Sequence, residues 1–221
     1  MTEGAIVGER RLVLHLVRHA ETDWNAERRI QGQLKDVALS ANGREQARAI
    51  AEELASASAT LIIASDLDRT MQTAQIIAGR LALPVTPEPA LRERHFGIVE
   101  GQLYADVAKL VDGWWQTPDH RVEGGESNRE MYDRVARCLE RLVAEPPADE
   151  IILVTHGGTM NMAVAWLAGV PVDAHEWQRF DNCALRTVVV EPLDVSRARS
   201  ADGPPAGGAR NPEPRTENLC E

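Results

Sequence analysis

Short apolar runs alternate with longer amphipathic stretches along most of this chain, and that alternation is what most constrains its fold. Leu12-Val13-Leu14-His15-Leu16-Val17, Leu61-Ile62-Ile63-Ala64, Pro84-Val85-Thr86, Ile151-Ile152-Leu153-Val154 and Ala184 to Val190 are too short for helices and read as strands. Between them apolar residues recur every three or four positions. Ser40 is placed to cap a helix in which Ala47, Ile50, Ala51 and Leu54 share one face. Arg69 to Leu81 forms a second helix. Ser127 and Glu130 make a capping box ahead of a third, with Met131, Val135, Cys138 and Leu142 inward. Gly158 to Leu167 forms a fourth. Strands alternating with helices predict an α/β fold, a three-layer sandwich with a mainly parallel central sheet flanked by helices.

With 221 residues, 43% of them apolar, the chain can bury one good core, and residues 1–191 read as a single domain. From Pro192 to Glu221 the sequence is rich in Pro, Gly, Ala and charge, which predicts a disordered tail. No apolar run is long enough to span a membrane, and the segment from Met1 to Arg11 lacks the apolar stretch of a signal peptide. Cys138, Cys183 and Cys220 are far apart and form no CxxC pair, so neither a disulfide framework nor a zinc site is expected. A cytoplasmic location fits this usage. The net charge of −10 disfavours a nucleic-acid partner, which demands a basic surface. It leaves room for a small phosphorylated substrate, because a few converging arginines outweigh a diffuse negative surface at short range. A homodimer is compatible with the composition.

The residues that carry chemistry follow the strands directly: Arg18-His19 after the first, Ser65 to Arg69 after the second, Thr155-His156-Gly157-Gly158 after the fourth. In open α/β sheets the ligand site lies at the carboxyl ends of the strands. Three segments therefore aim Arg18, His19, Arg69 and His156 at one crevice. The arginines offer planar forks matched to phosphate or carboxylate oxygens, and the histidines supply a nucleophile or acid–base group near neutral pH. Gly157-Gly158 opens a helix, whose free N–H groups and positive end favour an anion. The sum is an anion pocket holding a nucleophile, suited to phosphoryl transfer. No HxH or HExxH pattern accompanies the histidines, and arginines repel cations, so no metal or other cofactor is expected.

Leu16 to Asn25, carrying Arg18-His19-Ala20-Glu21-Thr22, resembles the RHG signature of the histidine phosphatase superfamily, which includes cofactor-dependent phosphoglycerate mutases. Five further segments resemble that family's motifs, in its order: Leu39 to Ala47; Ser65 to Ala74; Leu91-Arg92-Glu93 with Gly97 and Glu100-Gly101; Gly124-Gly125-Glu126-Ser127; and Val154 to Gly158. Each is weak alone, but six in order are a strong signal. The resemblance implies that His19 attacks phosphorus to form a phosphohistidine. It implies that Arg18, Arg69 and His156 bind the phosphoryl oxygens, and that Glu93 protonates the leaving oxygen and then activates water. Asn25, Gln31 and Gly32 fall where the family contacts phosphate or substrate, and Gly157 is added as an N–H donor. Chemistry adds one requirement: a nucleophilic imidazole must be unprotonated at the attacking nitrogen, so its other nitrogen should donate to a carbonyl. Two positions depart from the pattern. Ala20 replaces the usual glycine, and Val99, in the loop of His95 and Phe96, stands where many members have tryptophan, which bears on the pocket wall.

Other residues read as structural. His15 lies inside the first strand; His120 and His175 read as surface residues; His95 is balanced between pocket wall and surface. Arg28, Arg29, Arg44 and Arg48 read as solvated salt-bridge partners, the first two near the pocket entrance. Glu93 is preferred to Glu100 as the acid, because Glu100 sits in a turn before glycine and can cap a helix. Glu21 reads as a hydrogen-bonding group. Trp114-Trp115 reads as packing of an inserted segment, with a lid as the alternative.

The family's mutases carry a longer insertion between the glutamate loop and the second histidine, which shields the phosphohistidine. The stretch here is short, which favours a phosphomonoesterase. Ile30 to Leu34 resembles the QGQ entrance of glucosyl-3-phosphoglycerate phosphatases and broad-specificity members, and an α-ribazole phosphatase is a further candidate. The alternatives are a phosphoglycerate mutase, a non-catalytic phosphate-binding regulatory module and a metal-dependent hydrolase.

Overall fold

The computed structural model describes residues 11–110 and 117–191. The expected tail and the Trp114-Trp115 pair lie outside the described residues. In chain order the elements are β1 (Leu12–Arg18), α1 (Asp23–Ala26), α2 (Ala41–Glu53), β2 (Leu61–Ala64), α3 (Asp68–Leu81), β3 (Val85–Pro87), α4 (Tyr104–Leu110), α5 (Asn128–Ala144), β4 (Glu150–Thr155), α6 (Gly157–Leu167) and β5 (Leu185–Val190), with short 3-10 turns between some of them. The strand order is β3-β2-β4-β1-β5. The first four run parallel and β5 pairs antiparallel with β1.

A strand buried on both faces reads as a near-continuous apolar run rather than an alternation, as β2 does, as β1 does before Arg18 with His15 the exception, and as β4 does between Glu150 and Thr155. Leu14, Leu16, Ile151 and Leu153 point to one face and pack with Met131, Val135 and Leu139 of α5 and Met160 of α6. Val17, Ile62, Ile152 and Val154 point to the other, against Ile50 of α2, Leu54 just after it, and Ala74 and Ile77 of α3. The result is the expected three-layer sandwich. Ser40 caps α2 through the Gly43 N–H. Ser127 and Glu130 form the full capping box of α5. The two helices that periodicity did not reveal, α1 and α4, are four and seven residues long. A turn or two is too short to display a face.

His15, the one polar residue among the apolar positions of β1, is satisfied on both sides. Its Nδ1 meets Thr187 Oγ1 on β5 at 2.9 Å and its Nε2 meets Glu150 Oε1 at 2.8 Å. It serves the sheet.

Register sets up the site. Arg18 pairs with Thr155 and Ala64 with Val154, so the carboxyl ends of β1, β4 and β2 lie level. Whatever follows each strand emerges into one crevice.

Candidate active site

His19 leaves β1 with its N–H on the Thr155 carbonyl at 2.8 Å, which carries the ladder one residue past the strand. Its Nδ1 lies 2.8 Å from the Ala20 carbonyl oxygen. A carbonyl can only accept, so Nδ1 carries the proton and Nε2 keeps its lone pair. The ring is 3% exposed. Burial, then the charges of Arg69 and Arg18, hold its pKa well below the ordinary histidine value. The imidazole is neutral, as nucleophilic attack requires.

His156 emerges from β4 as the residue preceding α6 and is fully buried. Its ring centroid is 5.2 Å from that of His19, with the planes at 62°. Nε2 sits 2.9 Å from Ser65 Oγ, just past β2. Burial, followed by the fields of Arg69, His19 and Arg18, also drives its pKa well down.

Arg69 enters from the first turn of α3 and is 1% exposed. Its Nη2 donates to the Gly32 carbonyl at 2.6 Å and its Nη1 to the Leu34 carbonyl at 3.1 Å. These bonds fasten the segment after α1 across the pocket. Burial lowers its pKa to about 10, against the opposing fields of Glu93 and Glu100. Arg18 donates from Nη1 to the Phe180 carbonyl at 2.6 Å. Burial lowers its pKa too, with Glu93 and Asp181 opposing.

One group of atoms stands out. Among the described residues, the buried side-chain polar atoms with no hydrogen-bond partner are Arg18 Nε, Arg69 Nε, His156 Nδ1 and Gln31 Oε1. An unpaired buried polar atom costs about 1–3 kcal/mol. All four belong to residues singled out in the sequence, and three are nitrogens able to donate to an anion. For Gln31 the oxygen and nitrogen of the amide are interchangeable by a flip, so it too can present a donor.

Glu93 reaches the same pocket from the loop before α4. Its Oε2 accepts the Gly158 N–H at 3.0 Å, and its Oε1 accepts its neighbour Arg94's N–H at 2.9 Å. The start of α6 therefore holds the carboxylate, where the sequence suggested an N–H for the anion; Gly157 remains next to Arg18 for that role. Gly158 has a steric reason to be glycine: a Cβ there would lie 2.4 Å from Glu93 Oε1. The Glu93 backbone is pinned as well. Thr155 Oγ1 donates to the Leu91 carbonyl, Thr159 Oγ1 to that of Arg92, and Gln33 Nε2 and Arg134 Nη2 to that of Glu93.

The remaining expectations sort as follows. Asn25 takes part in the capping box of α1, its Oδ1 accepting from the Thr22 N–H and hydroxyl. Gly32 has a positive φ of 50° and presents its carbonyl to Arg69. Glu100 Oε1 accepts the N–H groups of Gln33 and Phe96, clasping two loops together. Glu21 accepts from Ser40 Oγ and Asn42 Nδ2, a structural role. Val99 is buried with Ile30, Val107 and Val122 in a small cluster under the site. His175 is more engaged than a surface residue: its Nε2 meets Asn161 Oδ1 at 3.0 Å.

The family model of the histidine phosphatase superfamily (branch 1) matches residues 14–198. The chain belongs to this superfamily. A probable phosphoglycerate mutase of Serratia proteamaculans is 39% identical over 182 residues, which are 80% of this chain and 84% of that one. Among solved structures, mycobacterial glucosyl-3-phosphoglycerate phosphatase in complex with VO3 is 34% identical, with a TM-score of 0.73 over 80% of this chain and 92% of its own. A putative α-ribazole-5′-phosphate phosphatase of Escherichia coli is 27% identical, with a TM-score of 0.74 over 81% and 91%. Histidine phosphatase superfamily relatives thus include a glucosyl-3-phosphoglycerate phosphatase and a protein named a probable phosphoglycerate mutase. No helix among the described residues is long and apolar enough to cross a membrane.

Within this histidine phosphatase fold, sequence reasoning missed the stretch 178–183. Asn182 Nδ2 donates to the His19 carbonyl at 3.0 Å and lies 3.3 Å from Asn25 Oδ1, and the Phe180 carbonyl holds Arg18. The loop has no periodicity, and it contributes one side-chain amide, Asn182, beside backbone groups such as the Phe180 carbonyl and the Cys183 N–H, so it carries no compositional signal. Ser65 was inside a quoted motif, yet its bond to His156 shows only in three dimensions.

Proposed function

We propose that this superfamily member is a phosphomonoesterase that works through a phosphohistidine, with His19 as nucleophile. The observation that carries the reading is the set of partnerless donors, Arg18 Nε, Arg69 Nε and His156 Nδ1, gathered with the free Nε2 of His19. A phosphoryl group placed there would satisfy all of them. With the Ser65 hydroxyl donating to Nε2 of His156, Nδ1 of that ring carries a proton and donates to a phosphoryl oxygen.

His19 Nε2 attacks phosphorus, the ester P–O bond breaks, and a proton from Glu93 passes to the departing oxygen to give the alcohol. Water then attacks the phosphohistidine, giving its proton to Glu93 as the P–N bond breaks, and inorganic phosphate leaves. The arginines and His156 neutralise the equatorial oxygens throughout. Asn25, Gln31, Gly32 and Gly157 border this space as substrate contacts. The substrate is a small phosphorylated metabolite. The mycobacterial phosphatase has also been solved in complex with inorganic phosphate, which supports phosphate as a ligand.

A mutase reading is favoured by the 39% identical relatives named as probable phosphoglycerate mutases. One assay separates the two: 3-phosphoglycerate and a panel of phosphate esters are incubated with the protein in EDTA. Phosphate release, abolished in His19→Ala with the circular dichroism spectrum unchanged, is the expected result. Isomerisation of phosphoglycerate without net phosphate release would establish the mutase instead.

A further inference from the structure

Beside Glu93 and Gly158 lies a cavity of about 360 Å³. Its other lining side chains are Phe96, Tyr104, Met131 and Trp177, with one polar pair, Arg94 and Asn128. We propose that this cavity is the subsite for the alcohol portion of the substrate, and that it selects an apolar, ring-bearing group.

Position comes first. The group that donates a proton to the leaving oxygen must stand beside it, so the leaving alcohol starts at Glu93. The cavity touches Glu93 and Gly158, the two residues joined by the carboxylate–N–H bond. A group bound through the phosphoryl pocket therefore has this space before it.

Chemistry comes second. Four of the lining side chains are aromatic or thioether surfaces. The one cation is already committed: Arg94 donates from Nε to the Glu126 carbonyl at 2.7 Å, from Nη1 to Asn128 Oδ1 at 3.0 Å, and from Nη2 to the His120 carbonyl at 2.8 Å. Its guanidinium carbon also lies 5.3 Å from the Phe96 ring. Arg94 thus pairs within its own fold and offers no open fork to a carboxylate. Trp177, half exposed, is braced edge-on by His175 at 6.0 Å. A cavity in the lower part of the usual ligand-site range, walled by aromatic groups, fits a ring system.

The contrast with the neighbouring hollow sharpens the assignment. A second space of about 310 Å³ shares Phe96 and Tyr104 but is lined by Trp24, Arg28 and Arg29. Arg29 is already paired with Glu27 and the Gly101 carbonyl, so a carboxylate-bearing alcohol would be drawn to Arg28 in that hollow, away from the cavity at Glu93. The inference deepens the phosphomonoesterase reading and rests on it for turnover, but binding can be measured apart from turnover.

The test uses two non-hydrolysable monophosphonates of equal charge, phenethylphosphonate and dihydroxypropylphosphonate, titrated calorimetrically into the full chain. The expected result is tighter binding of the phenethyl compound by about tenfold or more, the scale on which apolar pockets discriminate. Trp177→Ala should bring the ratio toward one, and Trp177→Phe should keep most of it. The ratio within one protein is unaffected by the fraction folded. Equal binding, or preference for the dihydroxypropyl compound, overturns the assignment; so does a ratio that Trp177→Ala leaves intact. Phenethyl phosphate and glycerol phosphate, both alkyl esters, are then compared as substrates. Preference for the phenethyl phosphonate with no phosphate released from either ester would keep the subsite and overturn the hydrolase.

Discussion

At the scale of single residues, the site depends on giving two identical side chains different duties by giving them different partners. His19 has its Nδ1 on a carbonyl, which leaves Nε2 as a lone pair; His156 has its Nε2 on a serine hydroxyl and leaves Nδ1 facing no protein group. Glu93 is the third member, and its assigned duty makes a selective prediction. A general acid matters in proportion to how badly the leaving oxygen needs a proton. Glu93→Gln keeps the side chain's shape and can still accept the Gly158 N–H, but has no acidic proton to deliver. On an alkyl phosphate it should slow phosphohistidine formation by about a hundredfold to ten-thousandfold. On an aryl phosphate, whose departing oxygen is stable as an anion, the slowing should be far smaller. Rapid-quench measurement of the phosphoenzyme on both esters checks this. Equal slowing would pass the role to another carboxylate. Glu100 and Glu21 are poor replacements, because the structure engages both in loop and cap bonds.

At the scale of elements, most of the framework was legible. The strands are too short and too apolar to be anything else, and the caps at Ser40 and Ser127 announced where α2 and α5 begin. Three of the candidate-site segments could be placed because a strand's carboxyl end is a fixed address in this architecture. What could not be read was contact between distant loops. Gly97 and Gly124-Gly125 belong to two motifs that look independent in sequence, yet their backbones cross. Gly97 has a positive φ of 56°, and a Cβ on it would lie 2.0 Å from the Glu123 carbonyl oxygen. The Glu126 N–H donates to the His95 carbonyl at 2.7 Å in the same crossing. This crossing sets the loop that carries Glu93 against the start of α5. Gly97→Ala should therefore cost more than the 1–2 kcal/mol of a left-handed alanine, since backbone must also give way. The loss should appear as a lower urea midpoint together with a reduced kcat, and a variant matching the wild type in both would show that the crossing yields freely. The loop at 178–183 was equally invisible, because carbonyl and amide groups that any residue could supply make much of its contribution.

At the scale of the whole molecule, a chain of net charge −10 encloses a small region where positive charge accumulates, and folding must work against it. The neutral histidines are how it does so. Both rings have pKa values held well below the ordinary 6.5, by burial first and by Arg69 and Arg18 second. In the unfolded chain neither constraint exists. As pH falls through 6.5 the unfolded chain takes up protons that the folded one refuses, so the stability conferred by the neutral rings is full above that value and is lost below it. Each ring contributes a slope of up to about 1.4 kcal/mol per pH unit in that window. The carboxylates held below their ordinary values, Asp66 by Arg92 and Glu130 first by the Ser127 N–H, lose their contribution only near pH 4 and lower, so they leave this window clear. His175, also lowered by burial but less enclosed, adds a weaker effect of the same sign. Between pH 7 and 5.5 the two site histidines together should remove about 2–3 kcal/mol, a fall of roughly 5–10 °C in Tm for a domain of this size. His156→Asn should flatten the slope by about half, whatever it does to Tm at pH 7. Phosphate should raise Tm at every pH in the window and shrink the slope, because a bound anion offsets the fields of Arg69 and Arg18, which are part of why each ring refuses its proton. Thermal melts at pH 7, 6.5, 6 and 5.5, with and without phosphate, would test this: a Tm that stays level across the series would mean that the histidines are not held neutral, and that the pocket does not store the repulsion that an incoming phosphoryl group would relieve.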